Sequence, residues 1–279
     1  MSKHHFDFKG ARTAYWSYHN TSLPTIVMIH GFRGTHHGLE RIVERLPEYN
    51  VIVPDLPGFG ASQAFTDSAH NLEQYMKFVH AFIRHISADT PPVLLGHSFG
   101  SIIASHYAAK YPDTITKLIL VNPIGAPALK GPKAAMTQLA IFYYWLGRAL
   151  PERVSHSWLS AKSIVKIMSI SMTKTKDPAT RRFIHQQHLT HFSTFASPQV
   201  VAEAFRTSVS HDVSEVARDI THPTLLIAGE HDDITALPKQ RQLADVVQNA
   251  QLVVIPQVGH LIHYETAPEA AQAIKSFLA

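Results

Sequence analysis

The chain has 279 residues, 45% of them hydrophobic, which is enough to bury one large core or two small ones. A net charge of +4 with no concentrated run of lysine and arginine leaves no electrostatic stripe for nucleic acid, so no nucleic-acid partner is expected. The absence of cysteine excludes a disulfide framework, a thiolate metal site and a cysteine nucleophile together.

In chain order, segments 6–8 and 14–18 alternate in the β manner around Lys9-Gly10 and predict an antiparallel hairpin. Short apolar runs at 25–29, 51–53, 93–95, 118–121, 225–228 and 252–255 predict strands, with helices between them at 71–86, 99–110, 238–247 and 268–278. Apolar strands alternating with helices are the pattern of a parallel sheet covered on both faces, so the expected fold class is α/β. The interval 123–212 shows no convincing strand and is too long for a loop. It reads as a helical insertion, or cap, on a core domain made of 1–122 and 213–279.

The stretch Gly96-His97-Ser98-Phe99-Gly100 sets a serine between the predicted strand at 93–95 and the helix starting at Phe99. A sharp strand-to-helix turn projects such a hydroxyl above the sheet and tolerates only small residues two positions to either side. The helix N-terminus also turns free N–H groups and partial positive charge toward that point. A serine hydroxyl is a weak nucleophile and needs a base, itself oriented by a carboxylate. Gly229-Glu230-His231-Asp232-Asp233 and Val258-Gly259-His260 each follow a predicted strand, on the sheet edge where Ser98 emerges. The order is Ser, Asp, His, with Asp232 or its neighbour Asp233 as the acid.

On these motifs the chain resembles the α/β-hydrolase superfamily, most nearly its capped, serine-nucleophile carboxylesterases and lipases. His30-Gly31-Phe32 is similar to the family's oxyanion motif, and Asp55-Leu56-Pro57-Gly58-Phe59-Gly60 to its loop after the fourth strand. Gly96 to Gly100 is similar to its nucleophile elbow, Gly229-x-x-Asp232 to its acid position and Gly259-His260 to its histidine. The resemblance implies a mostly parallel sheet flanked by helices and a serine hydrolase without cofactor. Ser98 would attack a carbonyl, His260 relay the proton, Asp232 orient His260, and the backbone N–H groups of Phe32 and Phe99 hold the oxyanion. The family spacing from Gly229 favours Asp232 over Asp233. His263 reads as packed or hydrogen-bonded rather than as the base, Asp55 as a loop-stabilising carboxylate, and His30 as a turn residue.

An ester is the expected substrate. A C–C bond hydrolase would use the same residues, but Leu261-Ile262-His263-Tyr264 lacks the tryptophan such relatives typically carry after the histidine. A small-molecule receptor on the same fold is the rival outside enzymes, whereas Ser98 argues against epoxide hydrolases and dehalogenases, which use aspartate.

The 20 histidines invite a metal reading, strongest at His185, His188 and His191. No nearby carboxylate completes a zinc site there, and no metal is expected. His36-His37 either lines the pocket or is a solvated loop pair. The interval 123–212 carries eleven lysines and arginines against four acids, a balance of +7. Its helix with Phe142, Tyr143, Tyr144 and Trp145 offers an apolar lining, so His36, Phe142 and Trp145 are candidate substrate contacts. Apolar area beside positive charge suggests a small-molecule ester with an apolar acyl part and an anionic remainder. The first residues form no apolar signal region and no stretch approaches the ~18 apolar residues of a membrane span, so a cytoplasmic protein is expected.

Overall fold

The computed structural model describes residues 1–87, 90–127 and 134–279. Part of the interval expected to form the cap, 128–133, lies outside the described residues.

Six apolar runs become the strands of one eight-stranded sheet, ordered β1-β2-β4-β3-β5-β6-β7-β8. The hairpin β1 (Ser2–Phe8) and β2 (Ala11–Tyr18) pairs antiparallel and joins antiparallel to β4 (Asn50–Pro54). From β4 onward β3 (Thr25–Ile29), β5 (Val93–His97), β6 (Leu118–Val121), β7 (Thr224–Gly229) and β8 (Ala250–Ile255) run parallel. Residues of β4, β6 and β7 are buried throughout, because helices cover both faces.

On one face lie α2 (Leu72–Ile86) and α3 (Phe99–Lys110); on the other α1 (Glu40–Val43) and α11 (Ala267–Leu278). Helix α2 starts where the Asn71 side chain accepts the Gln74 N–H, and it buries Leu72, Tyr75, Phe78, Val79 and Phe82 at helical spacing. Helix α3 is buried nearly all round, which its small residues Gly100, Ser101, Ala104 and Ala108 allow. No residue pattern predicts the four-residue helices α1 and α10 (Ile262–Glu265).

Among the described residues between β6 and β7 lie five α-helices: α4 (Ala134–Ala149), α5 (Glu152–Leu159), α6 (Lys162–Met172), α7 (Pro178–His191) and α8 (Pro198–Ser210). Helix α9 (Leu237–Val246) then links β7 to β8. The insertion is tied to the loops above the sheet. Arg33, almost fully buried, donates from Nε to the Phe192 carbonyl at 2.7 Å and from Nη2 to the Leu159 carbonyl at 2.9 Å. Those carbonyls end α7 and α5, where the helix dipoles are negative, so the guanidinium is held by charge as well as hydrogen bonds. Phe59 and Phe195 form an isolated bridge, with Gly60 N–H on the Thr194 carbonyl and Ala196 N–H on Gly58. Glu265 accepts the N–H groups of Lys174 and Thr175.

A methyl group on Gly100 would overlap the Ile29 carbonyl, which is strand backbone and cannot yield. Gly100→Ala should therefore destabilise the protein by about 3 kcal/mol or more, read as a shifted midpoint in urea unfolding. Arg33→Met removes two charge-assisted bonds worth about 1.5–3 kcal/mol each, so limited proteolysis should cut within 134–210 well before the sheet domain is lost.

Candidate active site

Ser98 stands where β5 ends and α3 begins, at φ 53° and ψ −117°. Its N–H donates to the Val121 carbonyl, so the pairing of β5 with β6 carries into the turn. Its carbonyl accepts Ser101 N–H at 2.8 Å and the Ser101 hydroxyl at 2.5 Å. A side chain on Gly96 would strike the Gly100 backbone, and one on Gly100 the Ile29 carbonyl. The two glycines are thus required by close backbone approach on either side of the serine.

The parallel order β3-β5-β6-β7-β8 puts the loops after these strands side by side at one sheet edge. There His260 Nε2 lies 2.8 Å from Ser98 Oγ, and His260 Nδ1 lies 2.8 Å from Asp232 Oδ2. With Nδ1–H donated to the carboxylate, Nε2 accepts the serine hydroxyl. Asp232 also accepts the N–H groups of Ile234 at 2.7 Å and Thr235 at 3.0 Å, the Thr235 hydroxyl at 2.5 Å and Asn122 Nδ2 at 2.8 Å. Burial opposes its charge, but His260 and these donors outweigh that and hold its carboxyl well below the usual range. Asp233, by contrast, is mostly exposed and meets the Lys174 ammonium. The structure therefore brings Asp232 and not Asp233 onto His260.

Asn122 was missed in the sequence, although it closes β6 beside the acid loop. It has φ 47°, is fully buried, and donates to both Asp232 Oδ2 and the Gly259 carbonyl at 3.3 Å. One amide so links the carboxylate to the turn that carries His260.

The other histidines divide cleanly. Burial, with His260 nearby, pushes His97 down to about 3, and burial holds His263 well below its ordinary value. Their rings lie 4.1 Å apart, and both are neutral, so neither puts positive charge beside His260. His30 accepts Leu56 N–H at Nε2 and donates from Nδ1 to the Gly31 carbonyl, pinning two loops together. Asp55 accepts His36 N–H at 2.8 Å and Ala61 N–H at 2.9 Å, the loop-stabilising part expected of it.

The three expected substrate contacts take different positions. His36 is buried, stacked on Trp16 at 3.3 Å and hydrogen-bonded to Asp55, so its ring supports the core instead of lining a pocket. Phe142 and Trp145 stack on each other and stand 54% and 57% exposed. Their neighbour Tyr144 turns inward instead, with Phe32 at 5.7 Å and Phe205 of α8 at 4.3 Å. Phe32 meets Phe205 directly at 5.5 Å, so the aromatic surface beside the Gly31-Phe32 loop comes from Tyr144 and Phe205.

His185 and His188 both bond the Ser169 hydroxyl, and His191 lies tilted against His37 with ring centres 4.2 Å apart. Among the described residues His36, His37 and Glu40 bring possible ligand atoms within 4.8 Å of one another. Asp55 and Glu40 already engage the two Nδ1 atoms, which accounts for the cluster without an ion.

The profile described as alpha/beta hydrolase fold matches residues 24–267, and the chain belongs to that family. Among similar proteins, Lipase 1 of Psychrobacter immobilis is 25% identical, over 96% of this chain and 81% of the relative. The pimeloyl-[acyl-carrier protein] methyl ester esterase of Chromobacterium violaceum is 28% identical, over 85% of this chain and 87% of its own. The structure of a thermophilic esterase from Thermogutta terrifontis aligns with TM-score 0.77 at 23% identity, over 100% of this chain and 98% of the other, and shares the fold. Among the described residues no helix is long and apolar enough to cross a membrane.

Asp232→Asn should lower kcat by roughly 10⁴, because the amide would favour the wrong His260 tautomer, while Asp233→Asn should stay within a few-fold of the parent. Acid linkage supplies an independent check. A carboxyl held below its ordinary value of about 3.9 contributes stability above that pH and loses it as pH falls through the folded-state value. The stability gap between parent and Asp232→Asn, measured by urea unfolding, should be widest at neutral pH and narrow as pH is lowered.

Proposed function

We propose that the protein is a serine hydrolase that cleaves a carboxylic ester of a small, partly apolar substrate through an acyl-enzyme on Ser98. The observation that carries this reading is the unbroken line from Ser98 Oγ to His260 to Asp232, 2.8 Å at each step. As Ser98 Oγ attacks the ester carbonyl, its proton passes to His260 Nε2, and buried Asp232 stabilises the imidazolium. The same proton then protonates the leaving alkoxide, and water, activated by His260, releases the acid. Phe99 opens α3, so its N–H has no preceding turn to bond. With the N–H of Phe32 it forms the oxyanion hole, where the developing charge is worth most.

Names of relatives support the class: lipase and methyl ester esterase both denote ester cleavage. The Phe32–Tyr144–Phe205 cluster supports an apolar acyl portion. The helical insertion serves as the cap over this site, and the basic balance of 123–212 suits an ester whose remainder is anionic.

Fluorophosphonate labelling with turnover of p-nitrophenyl esters tests the nucleophile. Ser98→Ala should abolish labelling and lower kcat by as much as about 10⁶, and labelling retained at another serine would refute the assignment. Across a series of rising acyl length, Phe205→Ala should cost roughly tenfold in kcat/KM for the longer esters and little for acetate.

A further inference from the structure

The insertion presents an outward surface that catalysis does not use. Ten large apolar side chains are exposed among the described residues, and seven of them belong to α4, α5 and α6. Leu139, Phe142 and Trp145 follow at three-residue steps on α4, and Trp158 of α5 stands 5.6 Å from Tyr143. On α6, exposed Ile167 and Ile170 share a face with Lys166. Exposed apolar area of this kind marks an interaction site.

Beside these isoleucines, α6 and α7 enclose a shallow concavity of about 440 Å³ lined by Lys162, Lys166, Arg182, His185 and Gln186. None of its three permanent cations forms an ion pair among the described residues. Along α4 to α6 the only acid is Glu152, against Arg148, Arg153, Lys162 and Lys166. Arg182 has Asp177 within electrostatic reach, which leaves Lys162 and Lys166 as the charges that call for an anion at the groove. Exposed Ile167 and Ile170, one and four positions from Lys166 on the same helix, call for an apolar medium beside it. A lipid–water interface with anionic headgroups offers both within a few ångströms, whereas a soluble anion leaves the apolar side chains in water.

We propose that the outward face of the insertion docks on an anionic phospholipid surface, with a headgroup phosphate seated in the groove between α6 and α7. Ile167 and Ile170 enter the acyl boundary beside it, and the α4 and α5 aromatics extend the contact. Docking is separate from the reaction at Ser98 and stands whichever ester is cleaved.

Co-flotation of the full-length protein with vesicles of phosphatidylcholine, alone or mixed with phosphatidylglycerol, tests this. Binding is expected only to the anionic vesicles and should weaken as salt rises. Lys162→Glu/Lys166→Glu/Arg182→Glu should lower the partition coefficient by roughly 100-fold or more, and Ile167→Ser/Ile170→Ser by about tenfold. An unchanged far-UV circular dichroism spectrum and urea-unfolding midpoint show that the charge-reversed variant is folded. Equal binding to neutral vesicles, or full binding after charge reversal, overturns the proposal. So does release by inorganic phosphate where chloride of equal ionic strength has no effect, since a soluble phosphate ligand then fills the groove. A concentration-dependent dimer that Ile167→Ser/Ile170→Ser abolishes assigns the face to a second copy instead.

Discussion

The backbone of Ser98 is the constraint on which the rest of the site depends. A residue with a side chain at φ 53° and ψ −117° is strained by about 1–3 kcal/mol and persists only where its surroundings over-determine it. Here they do. The N–H is fixed by Val121 on the neighbouring strand, the carbonyl by two donors from Ser101, and the helix below is brought against β3 by the missing side chain of Gly100. Ser101 passes the constraint on, because its hydroxyl also accepts the Ile124 N–H where the chain leaves β6 for the insertion. A turn that could relax would let Oγ drift from His260, and a drift near 1 Å is enough to undo the alignment that makes a hydroxyl reactive.

The second requirement is charge in a nearly dry place. Asp232 is 4% exposed, and a lone carboxylate there would take up a proton unless its ionised form were well solvated by the protein. Two backbone N–H groups, one hydroxyl, one amide and the His260 ring supply that solvation. The amide is Asn122, and its second bond to the Gly259 carbonyl makes the distance between acid and histidine a property of one side chain. Neutral His97 and His263 complete the arrangement: they fill space around His260 without adding positive charge that would oppose its protonation.

Much of this was legible in the sequence, for identifiable reasons. Strands buried on both faces are continuous apolar runs, so β3 to β7 were readable within a few residues; the half-buried edge strand β8 kept an apolar run of its own, and the serine between two glycines is a local signature of a local constraint. Helices α1 and α10 were not legible because four residues carry less than two turns of periodicity. The run from Phe142 to Trp145 failed for a different reason. Consecutive residues on a helix differ by 100°, and with aromatics at every position no pattern says which one faces in; only packing against Phe32 selects Tyr144. His36 was ambiguous because its partners are distant in the chain, Trp16 on β2 and Asp55 in the loop after β4. Asn122 had a faint signal, an asparagine closing a buried strand, which becomes meaningful once its positive φ is known.

The same packing explains why the insertion and the reacting centre form one mechanical unit. Phe32, the proposed oxyanion donor, and Arg33, the residue that ties α5 and α7 to the sheet domain, are adjacent in the chain. Arg33 also has φ 56°, so the backbone there is set by the position of its side chain as much as by the loop. Moving the ends of α5 and α7 would pull on the guanidinium and so on the peptide next to the Phe32 N–H. Phe32 in turn carries the ring against which Tyr144 and Phe205 rest. The proposed acyl-facing surface and the proposed oxyanion donor therefore both rest on Phe32, and Arg33 beside it ties that loop to the insertion.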